Sequence, residues 1–203
     1  MKKYPAIAIL EFRDIAVGMH ATDALLKKSP ISLVKCGAIS AGRYLTLIGG
    51  TTASVEESYN EGLYGGGANV VDHVLIPDIH PHLHDAVLGQ RTPCTGGALV
   101  IIETQTASCN VRATELALKS TSVDLVEIRL ADSLLHGKGV SIYHGALYDV
   151  EAAADIAVSW LREKQFDVMS RIITAPHDAL SEEINAGTEF RSTRLMHLDG
   201  ECL

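Results

Sequence analysis

Several common features are missing from this 203-residue sequence, and each absence removes a class of function. Basic charge is short: 17 Lys and Arg stand against 25 Asp and Glu, a net charge of −8 at pH 7. Phosphate backbones are held by basic patches, so no nucleic-acid partner is expected. Long apolar runs are missing too. Stretches such as Ala98–Ile102 fall far short of the roughly 20 residues that span a bilayer, so no membrane partner is expected either. Met1-Lys2-Lys3-Tyr4-Pro5 is followed by only a brief Ala/Ile run before Glu11. With no small-residue cleavage site behind it, this start does not read as a secretory signal. The four cysteines, Cys36, Cys94, Cys109 and Cys202, form no Cys-x-x-Cys pair and read as free thiols of a cytoplasmic chain. Gly65-Gly66-Gly67 lacks the spacing of a dinucleotide loop, and no Gly-x-Ser-x-Gly elbow occurs, so neither cofactor binding nor serine hydrolysis is indicated. Charge of either sign is sparse at 21%, against 47% hydrophobic residues. That balance leaves apolar surface for contacts between subunits.

What is present is a repeat. Ala6-Ile7-Ala8-Ile9-Leu10-Glu11 returns 92 residues later as Ala98-Leu99-Val100-Ile101-Ile102-Glu103. At the same offset Ala21-Thr22-Asp23-Ala24-Leu25-Leu26-Lys27 matches Ala113-Thr114-Glu115-Leu116-Ala117-Leu118-Lys119. The match resumes at offset 95, with Gly50 on Gly145 and Val55-Glu56 on Val150-Glu151, and at 97 with Ile76…His80 on Ile173…His177. One compact unit has been duplicated in tandem, with three residues inserted in the second copy. Two copies of one unit suggest pseudo-symmetry and ring assembly.

Each copy reads as β-α-β-β-α-β, an α+β, ferredoxin-like arrangement. In the first copy, Ala6–Glu11 is a buried strand and Val17–Lys28 a helix closing on cationic residues. Ile31–Gly37 and Arg43–Ile48 are strands, a helix capped by Thr52 or Ser54 runs to Tyr64, and Asp72–Pro77 is the fourth strand. The second copy repeats the order through Leu99–Glu103, Cys109–Ser120, Val123–Leu130, Gly139–His144, Asp149–Glu163 and Val168–Thr174. Domains are expected at 1–85 and 98–185, joined by a linker at 86–97 and followed by a tail at 186–203. His80–Gly97 reads as irregular connection. The stretch from Asp178 reads as lacking a counterpart in the first copy, with a helical turn or two at Leu180–Asn185.

These residues resemble the bacterial microcompartment shell domain. Carrying the resemblance are Ala-Ile-Leu-Glu, Ala-Thr-Asp-Ala-Leu-Leu-Lys, Ser-Leu-Val, Ile39-Ser40-Ala41-Gly42 and Gly-Gly-x-x-x-x-Val-Glu, an ordered set that occurs twice and covers about residues 5–177. The resemblance implies a structural protein without catalytic activity or cofactor. It implies a homotrimer forming a pseudohexameric tile in a cytoplasmic microcompartment shell, alongside hexameric and pentameric tiles. The unpermuted strand order implies a single-layer trimer. It also implies that Lys27 and Lys119 lie at tile edges. The arginine that the family often carries after Ile-Pro is absent: Asp78 and Ala175 stand there.

The resemblance places the turns between second and third strands around a central pore for small metabolites. In the first copy that turn is Ile39, Ser40, Ala41 and Gly42. In the second it is the longer Asp132–Lys138, contributing Ser133, Leu134, Leu135, His136 and Gly137. Leu134 and Leu135 are large enough to narrow an opening, and histidine is the side chain that changes charge near neutrality. A second reading belongs to another class. The alternating His80, His82 and His84, with Asp78 and Asp85, suit a metal-binding regulator or a metal-dependent hydrolase. Cys36, in the strand before the first turn, is expected to pack as a small apolar residue.

Overall fold

The computed structural model describes residues 5–132 and 135–189. The first domain runs β1 (Ala6–Phe12), α1 (Ile15–Lys28), β2 (Leu33–Ala38), β3 (Tyr44–Gly50), α2 (Thr52–Gly66), β4 (Val70–Ile76) and α3 (Pro81–Val87). The second runs β5 (Ala98–Thr104), α4 (Ala107–Ser120), β6 (Asp124–Leu130), β7 (Gly139–Gly145), α5 (Leu147–Glu163), β8 (Val168–Ile173) and α6 (Asp178–Ala186). The two four-stranded antiparallel sheets have matching orders, β2-β3-β1-β4 and β6-β7-β5-β8. Every residue of β1 is buried, as befits an unbroken apolar run with protein on both faces. The cap of α2 is Thr51, whose hydroxyl accepts the Ser54 N–H at 3.3 Å, one residue before the nearer of the two expected caps. Gly66, in the last turn of that helix, leaves no room for a side chain, since a Cβ there would sit 2.5 Å from the Phe12 ring.

Two expectations need correcting. The span read as irregular connection contains α3, and the segment from Asp178 has a counterpart after all, since α6 begins 97 residues after α3. Both helices start on histidine N-caps. His80 Nδ1 accepts the His82 N–H at 3.3 Å, and His177 Nδ1 accepts the Ala179 N–H at 3.2 Å. Histidine is an uncommon cap, so residue preference did not flag these starts.

The domains do not merely follow one another. Helix α4 of the second lies on β1 and β4 of the first. Ile7, Ile9, Val74 and Ile76 share one hydrophobic cluster with Val111, Ala113, Ala117 and Leu118. Each such fully buried Val, Ile or Leu contributes about 1.5–3 kcal/mol, so this seam is a core rather than a loose interdomain contact.

Candidate functional site

Two features stand out along the seam: a ladder of polar contacts on α4 and a cluster formed by the two long turns. At the start of α4, Glu11 is fully buried and its Oε1 accepts the Ser108 N–H at 2.7 Å and the Ser108 hydroxyl at 2.8 Å. Asp72, cross-strand neighbour of Glu11, accepts the Cys109 N–H at 3.1 Å and the Thr106 hydroxyl. Carboxylates suit this end of a helix because free N–H groups and the positive dipole end meet there. At the far end, Glu115 accepts the His80 N–H at 2.9 Å, and Lys119 reaches the Asp78 carbonyl at 2.5 Å and Glu115 at 2.7 Å.

Burial raises both strand carboxylates above their ordinary range, Glu11 from 4.5 to about 7, with Asp72 adding like-charge repulsion. Arg43 opposes the shift on Glu11 but only weakly. Its Nη1 lies 4.0 Å from Glu11 Oε2, beyond hydrogen-bonding distance, and both atoms are buried without a hydrogen-bond partner among the described residues. In the second copy the equivalent pair is Glu103 and Lys138, joined at 2.6 Å and exposed. Of the duplicated acids at equivalent strand ends, Glu11 bonds across the seam and Glu103 pairs at the surface.

The two turns meet. Ser40 donates its N–H and its hydroxyl to the Ala131 carbonyl at 3.3 and 3.2 Å, and the Gly137 N–H donates to Ser40 Oγ at 2.6 Å. Ala41 and Gly42 adopt the left-handed region, with φ of 62° and 70°, which keeps the short turn tight. Ala41, Gly42 and His136 are exposed, while Ile39, Ser40 and Leu135 are half-buried and Gly137 is buried. Ser133 and Leu134 lie outside the described residues. Arg129, not singled out from sequence, grips Asp132 with Nε and Nη2 at 2.6 and 2.7 Å. That fork fixes the base of the longer turn, and the Arg-x-x-Asp spacing across its entrance was the available signal. Cys36 does not pack as a core residue; it is exposed on β2, at the rim of a cavity of about 490 Å³ between β2 and β6.

The histidine cluster is not assembled for a metal. His80 caps α3, His82 lies 3.8 Å from Asp124, and His84 Nδ1 lies 2.9 Å from Asp85. Among the described residues no group of three or more metal-ligating side chains converges. Lys27 is exposed and pairs with Asp23 at 2.5 Å.

This architecture is that of a tandem shell-type α+β protein, two equivalent units joined through a shared core. The BMC domain family matches residues 6–79 and 98–176, and the chain belongs to that family, with the domain present twice. It is 30% identical over 182 residues to PduT, a bacterial microcompartment shell protein of Citrobacter freundii, covering 90% of this chain and 98% of that one. Among solved structures it is similar to a microcompartment protein from Desulfitobacterium hafniense, with a TM-score of 0.78, 31% identity, and coverage of 87% and 98%. A fused permuted hexameric shell protein from the RMM microcompartment matches at a TM-score of 0.57 and 25% identity, with coverage of 81% and 88%.

Proposed function

We propose that this chain is a structural protein of a bacterial microcompartment shell in the cytoplasm, and that three copies close into a flat ring with six domains in the positions of a hexamer. The observation that carries this reading is a helix face buried in one copy of the repeat and bare in the other. On α4, Ala107, Val111 and Leu118 are 0%, 0% and 4% exposed. Their equivalents on α1, Ile15, Met19 and Leu26, are 36%, 56% and 41% exposed. If α1 docks on the second sheet of a neighbouring chain as α4 docks on the first sheet, that apolar face is covered and the ring closes after three chains. Lys27 then reaches the carbonyl of Ala175 of the partner subunit, as Lys119 reaches Asp78.

In such a ring the two kinds of turn alternate around the axis. Ile39, Ser40, Ala41 and Gly42 form the lower wall, and Ser133, Leu134, Leu135, His136 and Gly137 form the narrower one, with small metabolites passing between them. Lys27 and Lys119 are proposed to lie at the tile edge, against other hexameric and pentameric tiles. No catalytic role is assigned.

Sedimentation velocity or native mass spectrometry tests the ring. A trimer is expected for the full chain, and Met19→Asp is expected to yield a folded monomer. A stable monomer or a hexamer of the unaltered chain would reject the reading.

A further inference from the structure

A second feature of the seam is not explained by assembly. Between α2 and β4 of the first domain and α4 and α5 of the second opens a cleft of about 510 Å³, within the range of small-molecule sites. Three rings wall it: Tyr59, and Trp160 stacked with Phe166 at a centroid distance of 6.0 Å and an interplanar angle of 28°. Two cations also line it. Arg112 makes no hydrogen bond or ion pair among the described residues, and Lys164 is exposed and pairs with Glu163 at 3.2 Å. Asp72 is the one acid in the lining, and its oxygens are occupied by Thr106 and by the N–H groups of His73 and Cys109. With Lys164 paired to Glu163 and Asp72 engaged by its donors, Arg112 is the cation that the described residues leave for an anionic partner, on a chain of net charge −8. The His73 ring, bonded to Tyr59 through Nδ1, keeps Nε2 for a further partner.

The duplication supplies an internal control. Sheet register makes Ser170 the equivalent of His73 and Met169 the equivalent of Asp72. The helix offsets make Ala154 the equivalent of Tyr59, Val17 of Cys109, His20 of Arg112 and Gly65 of Trp160. Apolar core positions such as Val55 and Val150 were kept in both copies, each fully buried. Both principal rings and the free guanidinium occur only at the seam within the chain. Core packing gives no reason for that difference, because the equivalent helix and strand positions of the other copy do without them. Cys109 is not a nucleophile here: its thiol is pushed up by burial and donates to Thr106, so the thiolate is disfavoured.

We propose that this cleft binds a planar, anionic small molecule, its ring laid against the Trp160–Phe166 pair and its negative group held by Arg112 and Lys164. Guanidinium and ammonium donors recognise phosphate and carboxylate alike, so both anions belong to the class. The cleft lies within one chain, and its occupancy stands or falls independently of ring closure.

Trp160 is the single tryptophan of the chain, so its fluorescence reports the site directly. The full-length protein is titrated with AMP and nicotinate, two planar anions, and with adenosine, nicotinamide and inorganic phosphate as partial mimics. A saturable change with Kd below ~1 mM is expected for at least one planar anion, with the mimics at least ~10-fold weaker. Arg112→Gln is expected to weaken binding ~10-fold or more, and Lys164→Gln several-fold, with melting temperatures unchanged. The proposal is overturned if neither anion gives a saturable response up to ~5 mM, if the uncharged rings bind as well, or if both variants bind as the unaltered protein does.

Discussion

At the residue scale, Glu11 is the most consequential side chain in the molecule. It ties two domains together, yet among the described residues its second oxygen has no hydrogen-bond partner, with Arg43 at 4.0 Å. Its carboxyl is raised from 4.5 to about 7, chiefly by burial. An acid whose folded value is raised binds its proton more tightly folded than unfolded. Its contribution is therefore most favourable below pH 4.5 and is lost as pH rises through about 7, flat thereafter. Glu11→Gln keeps an oxygen to accept the Ser108 bonds and removes the charge. The variant is expected to be more stable than the unaltered chain at pH 8, by up to about 3 kcal/mol, and nearly equal to it at pH 4. Urea melts at both pH values check this. Equal midpoints at pH 8 would mean that Glu11 ionises without cost.

At the scale of elements, α1 and α4 are the same helix in two environments. Both carry apolar residues where the other does, but only α4 has a sheet to lie on within the chain. Equivalent substitutions should then have unequal effects. Val111→Asp places a charge in the shared core and should cost several kcal/mol or prevent folding. Met19→Asp, at the equivalent exposed position, should change the stability of the isolated chain within about 0.5 kcal/mol. Circular dichroism melts of both variants, read on dilute monomer, make the comparison. A similar loss in both would show that α1 is already covered within one chain.

At the scale of the whole molecule, Lys27 and Lys119 are not equivalent. Lys119 neutralises Glu115, whose side chain is 2% exposed, and bonds the Asp78 carbonyl. Lys119→Ala leaves that carboxylate buried without its cation, so it should lower stability by about 1–3 kcal/mol. Within one chain Lys27→Ala removes a contact to the exposed Asp23 and should leave the melting temperature of the dilute monomer unchanged. On the tile reading, Lys27→Ala should still impair growth of flat sheets seen by electron microscopy. Normal sheets from that variant would remove Lys27 from the tile edge.

Much of this molecule was legible in its sequence, because duplication wrote the same local rules twice. Short apolar runs, helical spacing and the offsets of 92, 95 and 97 residues reported strands, helices, their order and the three-residue difference between the turns. Helix α3 is hidden from local pattern since its cap is a histidine and its span is short, and the same kind of cap leaves α6, Asp178–Ala186, legible only as the turn or two at Leu180–Asn185. The tertiary structure alone decided which copy of each repeated face is covered. Two equivalent helices meet different surroundings only once the second domain folds back onto the first sheet. The same folding back gathers Glu11, Asp72 and the start of α4, brings Ser40 against Ala131 and Gly137, and opens the cleft beside Trp160. Those contacts join residues 34 to 101 positions apart, and local pattern cannot report which distant surfaces desolvate each other.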